Sequence, residues 1–360
     1  MDRRAAIQVL SSCVYLPMVR LGNIVTVFDL QSALDSGSSE IIVPIGVNQV
    51  TSQINWPHRI VKLVGSGIGL SILEFANGID IGIRIYGTVL EPINGLIIRD
   101  LTIRGAENSD NAPRELIEIG DYVSNVEFSN VEFYWARKSA IRFTAGNFGS
   151  GLLIERCSIH DIATRLMIPI DGGAIQGCLH DSRIVGCNFV NTGNSSLHHG
   201  IYLTTSIALP IKNILIQNCT LDGPNTRLSS YGGLRENLRV FDNIFKANLT
   251  HFYGCDNAIV SRNVFHDCVA RLASNNISFH NNNIVRINQA FNGVELILPG
   301  NLVDVRHNHF IRLITTQLCF IVVYSGEKHS IADNTFTNAS PNMAIRIDSG
   351  SALQLNNILN

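Results

Sequence analysis

At 360 residues, 46% of them apolar, the chain is long enough to bury one large core or two ordinary ones. Charged residues make up only 16%, against about 25% in typical globular domains, and 27 basic against 29 acidic side chains leave almost no net charge. With no basic block and no aromatic interleaving, nucleic acid is not an expected partner. No apolar run reaches the ~18 residues that cross a bilayer, so no membrane-spanning segment is expected.

In chain order, MDRRAAIQVLSSCVYLPMVR (1–20) sets Arg3 and Arg4 before a short apolar stretch, the pattern of a twin-arginine export signal. Gln8, Ser11 and Ser12 interrupt that stretch, and no A-x-A cleavage site follows. Residues 1–23 therefore read either as an export signal, placing the protein in the periplasm or outside the cell, or as an N-terminal extension of a cytoplasmic one. TVFDLQSALDSG (26–37) predicts a short helix. Thr26 and Asp29 form a capping box, Val27, Leu30 and Leu34 share a face, and Gly37 ends it. EIIVPIG, RIVKLVGSG and LSILEF follow as strands, and the helix would cover an otherwise open sheet edge.

From residue 96 a unit recurs: an alternating apolar run, a small or amide residue, one variable residue, then a large apolar one. It appears as IIRDLTI, VEFSNVEF, LLIERCSI, SRIVGCNF, ILIQNCTL, LRVFDNIF, AIVSRNVF, ISFHNNNI, VDVRHNHF, HSIADNTF and LQLNNIL. The third residue from the end of each unit's motif is Leu101, Val131, Cys157, Cys187, Cys219, Asn243, Asn263, Asn282, Asn308, Asn334 and Asn357 in turn. Spacings of about 20 to 30 residues with strand-like alternation predict a solenoid of stacked coils. Stacked Asn side chains would bond along the ladder, satisfying amides that are costly to bury alone. The eight cysteines show neither C-x-x-C nor zinc spacing. Cys157, Cys187 and Cys219 stack about 4.8 Å apart, within disulfide reach, yet buried stacked cysteines behave as small hydrophobes, and free thiols are expected.

The helix, IIVPIG, VKLVGSG and the N-x-F coils with an HGIYL strand resemble the pectate-lyase-like superfamily, over residues 24–360. That resemblance implies an all-β, right-handed parallel β-helix with a short N-terminal capping helix. It implies activity on polysaccharides, by lyases, uronan C5-epimerases or glycoside hydrolases, or glycan binding without turnover by tailspike-like proteins and adhesins. As a monomer or a homotrimer, such a protein would take a polysaccharide or oligosaccharide as partner.

A second strand follows each anchored one: SAIRF, GGAIQG, HHGIYL, YGGLR and HFYG. With Ile141, Ile175, Ile201 and Leu234 inward, Arg142, Gln176, Tyr202 and Arg235 would form an outward column. Lys138, Asp171, His198, His199 and Tyr231 lie at or just before these strands, and Tyr253 continues the series. Gly172, Gly173, Gly200, Gly232 and Gly233 either open a groove beside the column or relieve crowding in a tight stack.

Glycoside hydrolysis needs two carboxylates, and only Asp171, with Asp161 in the preceding turn, offers itself. Elimination or epimerisation at C5 of a uronate needs a base, a cation for the carboxylate, and an acid. His198 or His199 suits the base and Tyr202 or Tyr231 the acid. Arg142 or Arg235 suits the clamp, because a guanidinium meets a carboxylate with two parallel N–H groups. Lys138, Gln176 and Tyr253 would contact substrate. His307 and His309 read as a surface pair on one strand face rather than a metal site. No cofactor is required, although scattered Asp and backbone carbonyls leave calcium open.

Overall fold

The computed structural model describes residues 25–26, 28–144, 149–164, 172–193, 198–203, 211–223, 225–227, 235–246, 249–253, 255–287, 293–296, 301–313, 319–339 and 344–359. Among these the chain is a parallel β-solenoid. One turn shows the plan. Gly172–Gly177 belongs to a twelve-stranded sheet, Leu179–Val185 and Asn188–Val190 belong to a larger one, and His198–Leu203 returns to the first, one layer along. Gly173 registers with His199 and Ile175 with Ile201, in parallel.

The larger sheet bends inside every coil, at the residue before each repeated anchor. Asp100, Asn130, Arg156, Gly186, Asn218, Asp242, Arg262, Asn281, His307, Asp333 and Asn356 all take the left-handed conformation, with φ between 49° and 64°. This region is costly for most L-residues and least so for Gly, Asn and Asp, which hold most of these places. Arg262 is an exception held by its neighbour: its Nε and Nη2 donate to Asp242 at 2.7 and 2.9 Å, one turn away. His307 occupies such a bend and His309 the strand beyond it, so the expected shared face does not form; His309 Nε2 instead meets Thr337 Oγ1 at 3.0 Å.

Each kink throws the anchor inward, and the asparagines bond as expected. Asn282 Oδ1 accepts from the backbone N–H and the side-chain amide of Asn263, at 2.9 and 3.0 Å, and its Nδ2 donates to Val260 O at 3.0 Å. The same pattern continues through Asn308 and Asn334 to Asn357. In the earlier turns Cys157, Cys187 and Cys219 donate their thiols to the corresponding carbonyls, of Phe128, Ile154 and Ile184, each at 3.5 Å. All three are free and buried. Two residues on, the large apolar positions stack as a ladder, with Phe245 on Phe265 at 4.9 Å and Phe310 on Phe336 at 4.9 Å.

The helix spans Leu30–Asp35, shorter than the sequence pattern suggests, with Leu30 and Leu34 buried. Its N-cap is Asp29, whose carboxylate accepts from Ser32 N at 3.0 Å and Ser32 Oγ at 2.6 Å. Thr26 is not part of a capping box; it lies in the strand Val25–Thr26, paired with Val47 and Asn48. The three expected strands form at Glu40–Ile42, Lys62–Val64 and Ser71–Phe75.

Candidate functional site

The twelve-stranded sheet carries a polar column in strict register. Arg84 lies beside Glu118, then Arg142, Gln176, Tyr202, Arg227, His251, Arg271 and Glu295 follow, one per turn. Arg142, Gln176 and Tyr202 stand where the sequence pattern puts them. Arg235 does not: it opens the strand Arg235–Phe241 of the larger sheet, between Ile211 and Cys255, and Arg227 takes the place beside Tyr202. The YGGLR segment therefore supplies no strand to this column. Tyr253 ends the strand Leu249–Tyr253, in register with Ala273. Asp171 and Tyr231 lie outside the described residues.

A simple two-residue alternation does not hold on this face. Leu116 and Ile117 are both buried in the core, as are Ala140 and Ile141, and Ala174 and Ile175. The polar side chains that meet are therefore three residues apart. Glu115 and Glu118 approach the same guanidinium, Arg142 Nη1 donating to Glu115 at 2.8 Å and lying 3.9 Å from Glu118. Ser139 Oγ donates to Gln176 at 3.1 Å, and the rings of His199 and Tyr202 touch, centroids 4.7 Å apart. This yields two rows, one through Glu115, Ser139, Gly173 and His199, the other through Glu118, Arg142, Gln176 and Tyr202.

Glu115 and Glu118 were missed by the alternation, which puts residues three apart on opposite faces. The available signal was two glutamates inside ELIEI, an otherwise apolar strand. Glu115 is fully buried and also accepts from Arg114 Nε at 2.6 Å. Glu118 accepts from Tyr86 Oη at 2.9 Å and lies 3.5 Å from Arg84 Nε. Burial first, and that bond to Glu118 second, push the Tyr86 phenol above its ordinary value. Arg142, expected as a clamp on substrate, is thus already engaged by protein carboxylates.

The other half of the site is aromatic and imidazole-rich. His198 is fully buried, and His199 and Tyr202 are 3% and 4% exposed. Gly172 and Gly173 permit the approach of the neighbouring strands. A Cβ on Gly172 would stand 2.8 Å from Lys138 O, and one on Gly173 would stand 3.0 Å from His199 O and 3.3 Å from Tyr202 Cβ. Crowding therefore demands both glycines, and their absent side chains leave Lys138 and His198 on either side of one gap: that Gly172 Cβ would meet Lys138 Cγ at 3.4 Å and His198 Cδ2 at 3.6 Å.

A second polar cluster lies on the outer face of the larger sheet. Tyr134 stacks on His160 at 4.8 Å and accepts from Arg104, which also pairs with Glu74. His160 sits between Glu132 Oε1 (3.3 Å) and Asp161 Oδ2 (2.9 Å). The Glu132 bond, outweighing burial and helped by Asp161, raises the imidazole above its usual range, and the bond from His160 lowers Glu132. Asp161 is thus tied to His160 and Asn191. Among the described residues no three His, Cys, Asp or Glu side chains converge as a metal centre, and no helix is long and apolar enough to cross a membrane.

The parallel solenoid, with one anchored bend per coil and a polar face on its separate sheet, has the right-handed parallel β-helix fold. Residues 82–255 match the family model described as "Right handed beta helix region". No curated protein matches the sequence. Among solved structures, the A-module of the Azotobacter vinelandii mannuronan C-5 epimerase AlgE4 is 16% identical, with 91% of this chain and 90% of that one covered and a TM-score of 0.51. PfbA, a surface adhesin of Streptococcus pneumoniae, is 14% identical over 91% and 85%, with a TM-score of 0.58. DFA-IIIase from Arthrobacter chlorophenolicus A6, in complex with GF2, is 15% identical over 91% and 86%, with a TM-score of 0.56. At these identities the shared feature is the fold, on which catalysts and adhesins both occur.

Proposed function

We propose that the outer face of the twelve-stranded sheet binds an acidic polysaccharide and that Lys138, His198, His199 and Tyr202 carry out chemistry at C5 of a uronate residue. His199 takes the C5 proton. In elimination the electron pair forms a C4–C5 double bond, the C4–O bond breaks, and Tyr202 protonates the leaving oxygen on the same face as His199; in epimerisation water returns a proton to C5 from the opposite face. Lys138 meets the substrate carboxylate as negative charge develops. Arg142, held by Glu115, positions the strand beside Gln176 rather than clamping substrate. The observation that carries this reading is the contact of His199 with Tyr202, a base and an acid ring to ring, two strands from Lys138 with Gly172 between. The likeness to a mannuronan epimerase supports the substrate class.

Purified protein is incubated with alginate, pectate and glycosaminoglycans, with and without a calcium chelator, in deuterated buffer. Unsaturated uronate signals elimination and deuterium at C5 signals epimerisation. Loss of activity with the chelator would add calcium to the scheme. Reducing ends without unsaturation would move the chemistry to hydrolysis at Glu115 and Glu118, the paired carboxylates near Arg142. Binding with neither product would place the protein with the adhesins. Light scattering separates a monomer from the homotrimer of a tailspike-like assembly, and a fusion of residues 1–23 to a reporter tests export.

A further inference from the structure

Asn283–Arg286 and His309–Arg312 are neighbouring strands of consecutive turns, and their register sets Arg286 on Arg312. Along both strands every second residue is buried: Ile284 and Phe310 fill the core, and the arginine two residues later points the same way. Arg286 is 2% exposed and Arg312 5%. An inward guanidinium is expensive unless a counter-charge accompanies it. Yet neither Nε nor either terminal nitrogen of Arg286 has a hydrogen-bond partner among the described residues.

Asp267 and Glu295 favour its charge through space, yet neither meets its N–H groups. Glu295 takes both Nε and Nη2 of Arg271, at 2.8 and 2.7 Å. Asp267 Oδ1 accepts the N–H of Ile287 at 2.8 Å. Cys268 is fully buried, and burial pushes its thiol up to about 11, so it stays neutral. Arg312 adds a second positive charge, its guanidinium lying 4.5 Å above the Phe320 ring. Burial lowers Arg286 itself only to about 10, which leaves it protonated at neutral pH.

We propose that Arg286, stacked against Arg312, binds a small inorganic anion inside the solenoid. Planar N–H donors in an enclosed place suit chloride or an oxoanion such as sulfate. The site is separate from the polysaccharide face, because both arginines lie on the larger sheet and point into the core. Its role is to meet the buried N–H donors of Arg286.

Thermal unfolding of the full chain tests this at constant ionic strength, in gluconate buffer with rising chloride, bromide or sulfate. Binding predicts a rise of about 2 °C per tenfold increase in the favoured anion above its dissociation constant. The rise disappears in Arg286→Met and persists in Arg239→Met, which alters an exposed arginine. Should Arg286→Met fail to fold, crystals of the wild type soaked in bromide provide the second readout, with anomalous density within hydrogen-bond reach of Arg286 as the expected result. Melting that is the same in every anion, an undiminished rise in Arg286→Met, or no bromide at Arg286 where halides raise the melting temperature would overturn the proposal.

Discussion

Replacing Asn282 by Ala probes the feature that ties the repeat to the fold. The side chain is fully buried. Its loss strips the acceptor from the Asn263 N–H, which now bonds at 2.9 Å, and the donor from Val260 O at 3.0 Å. The Asn263 amide keeps Val240 O and Ser261 O as partners, so one backbone N–H and one carbonyl are left short. At about 1–3 kcal/mol for a buried unmet group, together with the small cavity, the cost is about 3 kcal/mol, or roughly 4 °C for a chain of this length. Asn357→Ala deletes the same bonds, to Asn334 and Ile331, at a half-exposed position where water substitutes, and about 1 kcal/mol is expected. Urea unfolding of both variants, with m compared to exclude a change in the denatured state, measures the difference. Equal losses, or a loss below 1 kcal/mol at Asn282, would refute the view that the ladder works by satisfying buried groups.

Three further outcomes follow from the same geometry. Glu115→Gln leaves Arg114 and Arg142 without their buried carboxylate and should cost about 3 kcal/mol in urea; the double variant with Arg142→Met should recover part of that loss. His160 is raised above 6.5 in the folded state, so its stabilising effect is complete below 6.5 and is shed as pH rises through the higher folded value; Glu132 is lowered below 4.5, so its share is present above 4.5 and lost as pH falls through the lower one. The melting temperature of wild type minus that of His160→Gln should therefore be largest between those values and shrink towards alkaline pH. Cys157, Cys187, Cys219 and Cys268 are free and buried, and bonds to neighbouring thiols together with burial push Cys187 and Cys219 up, so a thiol reagent should label these four only after unfolding.

The coil architecture was legible because its determinants are local. One anchor, one intervening residue and one large apolar residue per turn are enough to place Asn243 to Asn357 on a ladder, and the bonds between them follow from what a buried amide requires. The left-handed bend before each anchor was legible only in part: Gly, Asn or Asp holds most of these places, but Arg156, Arg262 and His307 give no local hint of positive φ. On the twelve-stranded sheet the strands lack an anchor, and register there depends on connections of variable length. Arg235 was accordingly assigned to the column that Arg227 joins, because the glycine pair before it imitates GGAIQG. The contacts of Glu115 with Arg142 and of His199 with Tyr202 depend on two successive buried residues between the partners, which a two-residue period cannot anticipate. His198, His199, Tyr202 and Lys138 were found by residue type; their burial and the gap at Gly172 required coordinates.

The central claim, that His199 takes the C5 proton of a uronate and Tyr202 protonates the leaving oxygen, is tested most directly by deuterium incorporation and unsaturated-product release across the acidic polysaccharide panel. Wild type, His199→Ala and Tyr202→Phe are compared, with melting temperatures recorded alongside. The account predicts turnover by wild type on at least one polymer and a fall of about 10²-fold or more in kcat for His199→Ala, and for Tyr202→Phe where the product is unsaturated, with the fold retained. Wild type inert on every polymer, or variants as active as wild type, would contradict it.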